Sequence, residues 1–212
     1  MSETTAMVVP VGAAYHAAFE LPSSPMPTTE QWFAHQARRY LELNLGVQAD
    51  VDRLHDVLPA SGVVLCVFRT FRHEQLAELM THVVVNGQPG RISPDLRQLT
   101  DEPWVPDSPH IMTDVRDGRG RCNIAPKISH ADITQEGRLG WTAVHLVLWS
   151  VYYGQDVLTH HFLDGVASRC GLGRVPDLCL SHGSPRLYAY WDDDSYPEWG
   201  APCAGSVIVP GV

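Results

Sequence analysis

The sequence predicts a single α+β domain, in which N-terminal helices and antiparallel β-hairpins pack on one buried helix. The chain has 212 residues, of which 44% are hydrophobic and 18% are charged. That composition supplies one hydrophobic core, and the length is too short for two large domains. Apolar residues recur at helical spacing near the N-terminus, and short strand-like runs follow them. This mixed order of helices and hairpins is typical of the α+β class.

Residues 1–27 are expected to form an extended arm, since three of the last six residues are prolines, which lack an amide donor. The domain is expected to cover residues 28–212. Its first helix should begin after an N-cap threonine at position 28 or 29 and end near Gly46. A second helix is predicted over residues 48–58, where Pro59 follows.

The middle of the chain predicts alternating elements. Residues 62–68 form an apolar run rich in valine, which favours a buried strand. In residues 73–84 the apolar side chains again recur at helical spacing, which predicts a helix. Residues 91–109 are rich in Pro, Asp and Ser and are expected to form a long surface excursion, a common place for a binding loop. Residues 110–124 contain an Asp-Gly pair between apolar residues and predict a hairpin.

The second half predicts the central helix and another hairpin. Asp132 and Gln135 resemble a capping box ahead of a buried helix over residues 140–151. Residues 175–180 and 186–191 are expected to pair as two strands around a His-Gly-Ser-Pro turn.

Charge and cysteine content exclude several classes of protein. A formal charge of −9 without a basic cluster argues against binding to nucleic acid. The longest apolar stretch is shorter than a membrane span needs, and the N-terminus lacks the order of a secretory signal. The five cysteines include no C-x-x-C pair, which predicts reduced thiols and a cytoplasmic location.

The usual catalytic fingerprints are missing from the sequence. It contains no G-x-G-x-x-G, no P-loop, no G-x-S-x-G and no H-E-x-x-H. We therefore expect no cofactor and no stoichiometric metal. The oligomeric state is not predictable from these features.

Titratable side chains are densest in the C-terminal third, which predicts the catalytic residues there. They are His160, His161, Asp164, Asp192 and Asp194. Imidazoles near carboxylates suit general acid–base catalysis, because histidine titrates near neutrality and a carboxylate orients the ring.

Each of these groups also has a structural interpretation. Adjacent histidines on a strand point to opposite faces, so only one of them can face a given pocket. The acidic run at residues 192–194 is the usual composition of a solvated turn, and its alternative interpretation is a set of oxygen ligands for a hard cation.

The same region supplies the predicted substrate-binding residues. Arg169 and Arg174 would hold an anionic substrate, and Tyr190, Trp191 and Trp199 would line an apolar pocket. Aromatic residues at this density are equally ordinary core material.

Four segments of the second half resemble an uncharacterised actinobacterial family, a domain of unknown function. They are residues 133–137 (ITQEG), 168–171 (SRCG), 174–176 (RVP) and 181–187 (SHGSPRL). The resemblance covers about residues 109–206, and it implies fold boundaries but no activity. The acidic run at residues 192–194 replaces a Gly/Asn-Pro turn of the family pattern, and two adjacent histidines stand where the pattern has one.

Three functions are compatible with the sequence. The first is a small cofactor-independent enzyme of the cyclase, isomerase or lyase type, acting on a small metabolite in bacterial specialised metabolism. The second is a non-catalytic protein that binds a small molecule or a partner, and the third is a metal-dependent hydrolase. The expected site is the end of the C-terminal hairpin, and the excursion at residues 91–109 is the next candidate.

Overall fold

The computed structural model describes residues 27–96, 98–171 and 173–211, so the predicted arm lies outside the described residues apart from Pro27. The first half of the chain forms, in order, α1 (Thr29–Glu42), α2 (Gln48–His55), β1 (Leu65–Val67), a 3-10 helix (His73–Gln75), α3 (Leu76–Thr81), β2 (Val84–Val85), β3 (Gln88–Pro89), β4 (Arg91–Ile92), β5 (Leu99–Asp101) and β6 (His110–Thr113).

The second half continues with a 3-10 helix (Arg119–Arg121), α4 (Pro126–Gln135), β7 (Leu139–Gly140), α5 (Ala143–Tyr153), α6 (Gln155–Leu158), β8 (Phe162–Asp164), β9 (Ser168–Cys170), β10 (Arg174–Ser181), β11 (Ser184–Trp191), β12 (Trp199–Gly200), β13 (Cys203–Ala204) and β14 (Ser206–Ile208). The described residues thus form one α+β domain, which confirms the predicted fold class.

The strands form two main sheets and several short pairs. One sheet is antiparallel with the order β1-β6-β14, and the other has the order β12-β8-β10-β11-β4. Within the second sheet, β8, β10 and β11 pair antiparallel, whereas β12 and β4 join its two edges in parallel. The pair β5–β9 links the predicted surface excursion to the C-terminal half.

The core is built around α5, all of whose residues are buried. The helix contacts α1, β1 and β10, so it touches both main sheets. Trp149 lies at the centre of an aromatic cluster, with ring centroids 6.1 Å from Trp32, 5.4 Å from Trp141 and 4.2 Å from Tyr153. The predicted buried helix is therefore confirmed.

The first two helices begin where the sequence predicts. Thr28 caps α1, since its hydroxyl accepts the Gln31 N–H at 3.2 Å while the Gln31 side chain accepts the Thr28 N–H. The helix ends four residues before Gly46, because Asn44 takes a left-handed conformation at φ 54°.

The hairpin predicted over residues 110–124 is wrong. β6 pairs with β1 and β14 instead, and the chain then turns through Gly118 into a 3-10 helix. Gly118 has φ 92°, and a Cβ there would lie 2.8 Å from the Pro202 backbone nitrogen. The Asp-Gly pair therefore packs the chain against the C-terminal segment, where only glycine fits.

The capping box predicted at Asp132 and Gln135 is also wrong. Both residues lie within α4, a helix that begins with proline at its first position, where a missing N–H costs nothing. The capping box of α5 is formed by Thr142 and His145. The His145 backbone N–H donates to Thr142 Oγ1 at 3.4 Å, and the Thr142 N–H donates to His145 Nδ1 at 3.1 Å.

The C-terminal hairpin is confirmed. β10 and β11 pair over their full length, and the turn between them places His182 and Gly183 at φ 52° and 79°. Two successive positive φ angles match the right-handed twist of paired strands.

In the part of the chain that the structure describes, the cysteines are free thiols, and no helix has the length and hydrophobicity that a bilayer crossing requires.

Candidate functional site

A cavity of about 430 Å³ opens between the 3-10 helix His73–Gln75, the chain that follows β5, and the first residues of β6 and α5. A volume of this size suits a small organic molecule. Its apolar wall includes Val67, Phe71, Val105 and Val144. Its charged lining residues are Arg72, His73, Glu74, Asp101, Glu102 and Asp107.

A chain of hydrogen bonds fixes His73 at the wall of this cavity. His73 Nε2 lies 3.0 Å from Asp101 Oδ2, and Asp101 Oδ1 accepts the Ser168 hydroxyl at 2.5 Å. Ser168 Oγ in turn accepts the Ala143 N–H at the start of α5, at 3.0 Å. The pairing of β5 with β9 places Asp101 opposite Ser168. The carboxylate is thus held from two sides and orients the imidazole.

This chain of hydrogen bonds differs from the Ser-His-Asp triad of an enzyme with a nucleophilic serine. The Ser168 hydroxyl donates to the carboxylate rather than to the histidine, and Ser168 has no exposed surface. A nucleophilic serine needs the opposite arrangement, with its hydroxyl donating to the imidazole and open to substrate. Ser168 therefore positions Asp101, and His73 is the group that can exchange a proton.

The hydrogen bond to Asp101 raises the pKa of His73, and burial opposes that effect only in part. Smaller contributions come from the charge of Glu74 and the carbonyl of Leu99. The His73 side chain keeps 30% of its surface exposed. An accessible imidazole whose pKa lies above its ordinary value is suited to donate a proton near neutral pH.

Glu102 is the second anchored carboxylate of the cavity. Its Oε1 is hydrogen-bonded to His130 Nε2, and its Oε2 accepts the Trp104 indole N–H at 2.8 Å. The Glu102 backbone N–H donates to the Ala167 carbonyl at 3.0 Å. These bonds fix the start of the segment that runs from β5 to β6.

Two buried histidines form the floor of the cavity. His110 Nε2 and His145 Nε2 lie 3.1 Å apart, and the two residues are 2% and 1% exposed. His145 Nδ1 accepts the Thr142 N–H, so the His145 proton is on Nε2 and points at His110. His110 Nε2 is then the acceptor, and its Nδ1–H donates to the Ser108 carbonyl at 2.7 Å. The geometry fixes both tautomers.

Burial lowers the pKa of His110, and it lowers that of His145 strongly, with a further contribution from the charge of His110. Both rings are therefore neutral near pH 7. The indole of Trp104 stacks on His145, with centroids 6.1 Å apart and planes 11° apart.

None of the catalytic residues predicted from the sequence lines this cavity. His160 is exposed, whereas His161 is buried and its Nε2–H donates to the Asp117 carbonyl at 2.7 Å. Burial lowers the pKa of His161. Asp164 is buried in β8, and neither of its carboxylate oxygens has a hydrogen-bond partner among the described residues. The structure therefore separates the two histidines.

Asp164 lies opposite Asp177 of β10, which is also fully buried. Burial, with the charge of Asp177, raises the pKa of Asp164 to about 8, and burial raises that of Asp177 to about 7. The Cys179 thiol, two residues along β10, contacts Asp177. The pair is enclosed in the five-stranded sheet.

The predicted aromatic site is assembled as a packed surface cluster. The Tyr190 ring lies 4.5 Å from Trp199 and 5.5 Å from Tyr196, centroid to centroid. Trp191 is 55% exposed, and Asp192 and Asp194 lie beside it in the turn that follows β11. The structure thus places Tyr190 and Trp199 in one ring cluster and Trp191 beside the acidic turn, while His161 and Asp164 are buried away from solvent.

The two predicted anion-binding arginines are engaged elsewhere. Arg169 donates from one guanidinium nitrogen to the carbonyls of Val166 and Ser168, at 2.6 and 3.0 Å. Arg174 lies over the Trp191 ring, 5.9 Å from its centroid. Neither lines the cavity.

The residues of the cavity were missed because they come from three separate segments of the chain, residues 67–74, 101–110 and 142–145. The signal that pointed to them was the predicted excursion at residues 91–109, the second candidate, which contains Asp101 and Glu102 and precedes His110. His73 carried no distinguishing sequence pattern.

Among the residues that the structure describes, no group of three or more His, Cys, Asp or Glu side chains is arranged to hold a metal ion. Comparison with known proteins finds no matching family model, no matching curated protein and no matching solved structure.

Proposed function

We propose that the protein is a cofactor-independent enzyme that moves a proton on a small metabolite, of the isomerase, lyase or cyclase type, in bacterial specialised metabolism. The observation that carries the proposal is the His73–Asp101 pair at the wall of a cavity of about 430 Å³. Titratable groups with perturbed pKa values in a cleft are what an acid–base site requires.

In this proposal His73 is the catalytic acid and base. Asp101 accepts the proton on Nε2 and stabilises the imidazolium that forms when the ring takes up a second proton. The imidazolium donates that proton to a substrate oxygen, nitrogen or carbon. The neutral ring then takes a proton back from the substrate, which leaves the enzyme unchanged.

The lining favours a substrate with a positive charge or with several hydrogen-bond donors. Among the described lining residues, four carboxylates face the cavity and Arg72 is the one permanent cation. Asp101 and Glu102 each pair with one histidine. In the described part of the chain, neither Glu74 nor Asp107 forms an ion pair. The apolar wall would accommodate the hydrocarbon part of such a molecule.

A cytoplasmic location belongs to the same proposal. The free thiols fit a reducing compartment.

Proton transfer to carbon can be detected before the substrate is known. A mixture of bacterial metabolites is incubated with the protein in D2O, and mass spectrometry identifies each metabolite that takes up deuterium, isomerises or loses water. We expect the wild type to change at least one metabolite. His73→Gln should slow that change by about 100-fold or more, the usual contribution of a general acid–base group.

A matched control is available on the surface. His55 pairs with Glu30 at 3.1 Å, but both side chains are more than half exposed and neither lines the cavity. His55→Gln should therefore keep the wild-type rate. Full activity in His73→Gln contradicts the assignment, and a metabolite that binds without chemical change shows a binding protein instead.

A further inference from the structure

The His110–His145 pair holds the wall of the cavity closed through contacts that tolerate only one protonation state. The pair shares one proton between its two facing Nε2 atoms. A further proton must go to His145 Nδ1, which already faces the Thr142 N–H and hydroxyl, or to His110 Nε2, which faces the His145 N–H. At His110 Nε2 two donors would oppose each other, and at His145 Nδ1 the bond from the Thr142 N–H would be lost.

We propose that this pair is an acid-sensitive latch, which keeps the segment of residues 103–108 closed over the cavity and releases it when either ring is protonated. The segment covers both rings, and a charged ring would need the solvent that the segment excludes. The His110 Nδ1–H donates a hydrogen bond to the Ser108 carbonyl, and the Trp104 indole stacks on the His145 ring.

The start of the segment is anchored independently of the latch. The Glu102 backbone N–H is bonded to the Ala167 carbonyl, and the Glu102 carboxylate is bonded to His130. The Trp104 indole N–H and the Val105 backbone N–H also donate to Glu102, so an open state would move the segment about Glu102 and leave β5 paired. Movement of Val105 and Asp107, which line the cavity, would change access to His73.

Within the described part of the chain, no acidic partner compensates for a charge on the latch. On its own elements, β6 and α5, the two latch histidines are flanked by apolar side chains and Thr142. The titratable or charged groups that face the cavity from the neighbouring segments are Arg72, His73, Glu74, Asp101, Glu102 and Asp107. Among the described residues none of them hydrogen-bonds to His110 or His145. Burial lowers the pKa of both rings, which agrees with a closed state that binds no extra proton.

The size of the effect follows from proton linkage. The closed state holds two neutral rings, whereas an open state exposes two histidines with an ordinary pKa of about 6.5. The closed form is then fully favoured above that pKa and loses its advantage as the pH falls below it. Uptake of two protons lowers the closed-to-open ratio roughly 100-fold between pH 7.5 and 5.5.

The inference rests on the proposed function only in its consequence for catalysis, and its test needs no substrate. The protein is labelled with 5-fluorotryptophan, and Trp104→Phe assigns the fluorine signal of Trp104. The closed-to-open ratio is measured by fluorine NMR from pH 7.5 to 5.5. We expect roughly a 100-fold fall in the wild type and roughly a tenfold fall in His110→Gln, whose amide oxygen can still accept the His145 N–H.

Two controls separate the latch from other histidines. His160→Gln removes an exposed histidine outside the cavity and should leave the 100-fold fall unchanged. The double variant His110→Gln/His145→Gln should lose the pH dependence, so an unchanged dependence in it overturns the proposal.

A measurement on the wild type does not depend on whether any variant folds. Nitrogen-15 shifts of the imidazoles at pH 7.5 should show a proton on Nε2 of His145 and on Nδ1 of His110. The reverse tautomers, or a charged ring at that pH, would refute the latch. A functioning latch without any metabolite turnover would contradict the proposed enzyme and leave the latch intact.

Discussion

Replacement of Asp164 by asparagine should make the stability of the protein less dependent on pH. Asp164 is 1% exposed, and its pKa is raised to about 8 by burial and by Asp177. An aspartate in the unfolded chain has a pKa of about 4. The folded state therefore binds a proton more tightly, and its stability falls as the pH rises from about 4 to about 8.

The interval between those two pKa values corresponds to about 5 kcal/mol, an upper bound for the pH-dependent loss at this site. Asparagine has a similar shape and carries no charge, so Asp164→Asn removes the loss. Burial of its amide N–H groups adds a cost of up to about 1–3 kcal/mol at every pH. The variant should be the less stable protein at pH 5 and the more stable one at pH 9.

Urea unfolding followed by circular dichroism at pH 5, 7 and 9 measures these differences. Asp193→Asn is the matched control, because Asp193 is 60% exposed and pairs with Lys127 at 3.7 Å. The free energy of unfolding of the control should follow the wild type at each pH. If Asp164→Asn also runs parallel to the wild type, the carboxyl group of Asp164 is ionised in the fold and the reasoning is wrong.

Two further predictions concern the chain fold and the cavity. Gly118→Ala should lower the free energy of unfolding, measured by urea titration, by about 1–3 kcal/mol. Alanine is strained at φ 92°, and its Cβ would meet the backbone of residues 200–202. Gly120→Ala is the control, because a Cβ at position 120 would meet open space. In NMR titrations cyclohexylamine should bind to the cavity more tightly than cyclohexanecarboxylate does. The double variant Glu74→Gln/Asp107→Asn should bind the amine about tenfold more weakly, since each exposed charge pair contributes up to about 1 kcal/mol. Equal affinity for both probes would contradict a cation-favouring cavity.

Local patterns were sufficient to predict the elements that depend on neighbouring residues. The capping threonine of α1, the apolar run of α5 and the Gly-containing turn between β10 and β11 were all visible in the sequence. The failures occurred where a distant segment decides the conformation. Gly118 packs against residues 200–202, and β6 pairs with β14 near the C-terminus, so neither is determined locally.

The candidate site shows the same limit more strongly. Dense titratable residues near the C-terminus predicted a site there, but the sheet buries Asp164 and the His161 ring. Asp101, His73 and His145 come together through the β5–β9 pairing and through the start of α5. The spacing of residues along the sequence does not indicate that these three segments are in contact.

The complete burial of α5 has a consequence for synthesis on the ribosome. The helix has no polar face, so it needs chain on every side, including β10 (Arg174–Ser181), which is translated more than 20 residues after the helix ends. Until β10 leaves the ribosome, an apolar helix with three nearby tryptophans has no complete partner surface. A nascent chain that stalls in this interval would be a substrate for chaperones and prone to aggregate, whereas one that passes it can close its core.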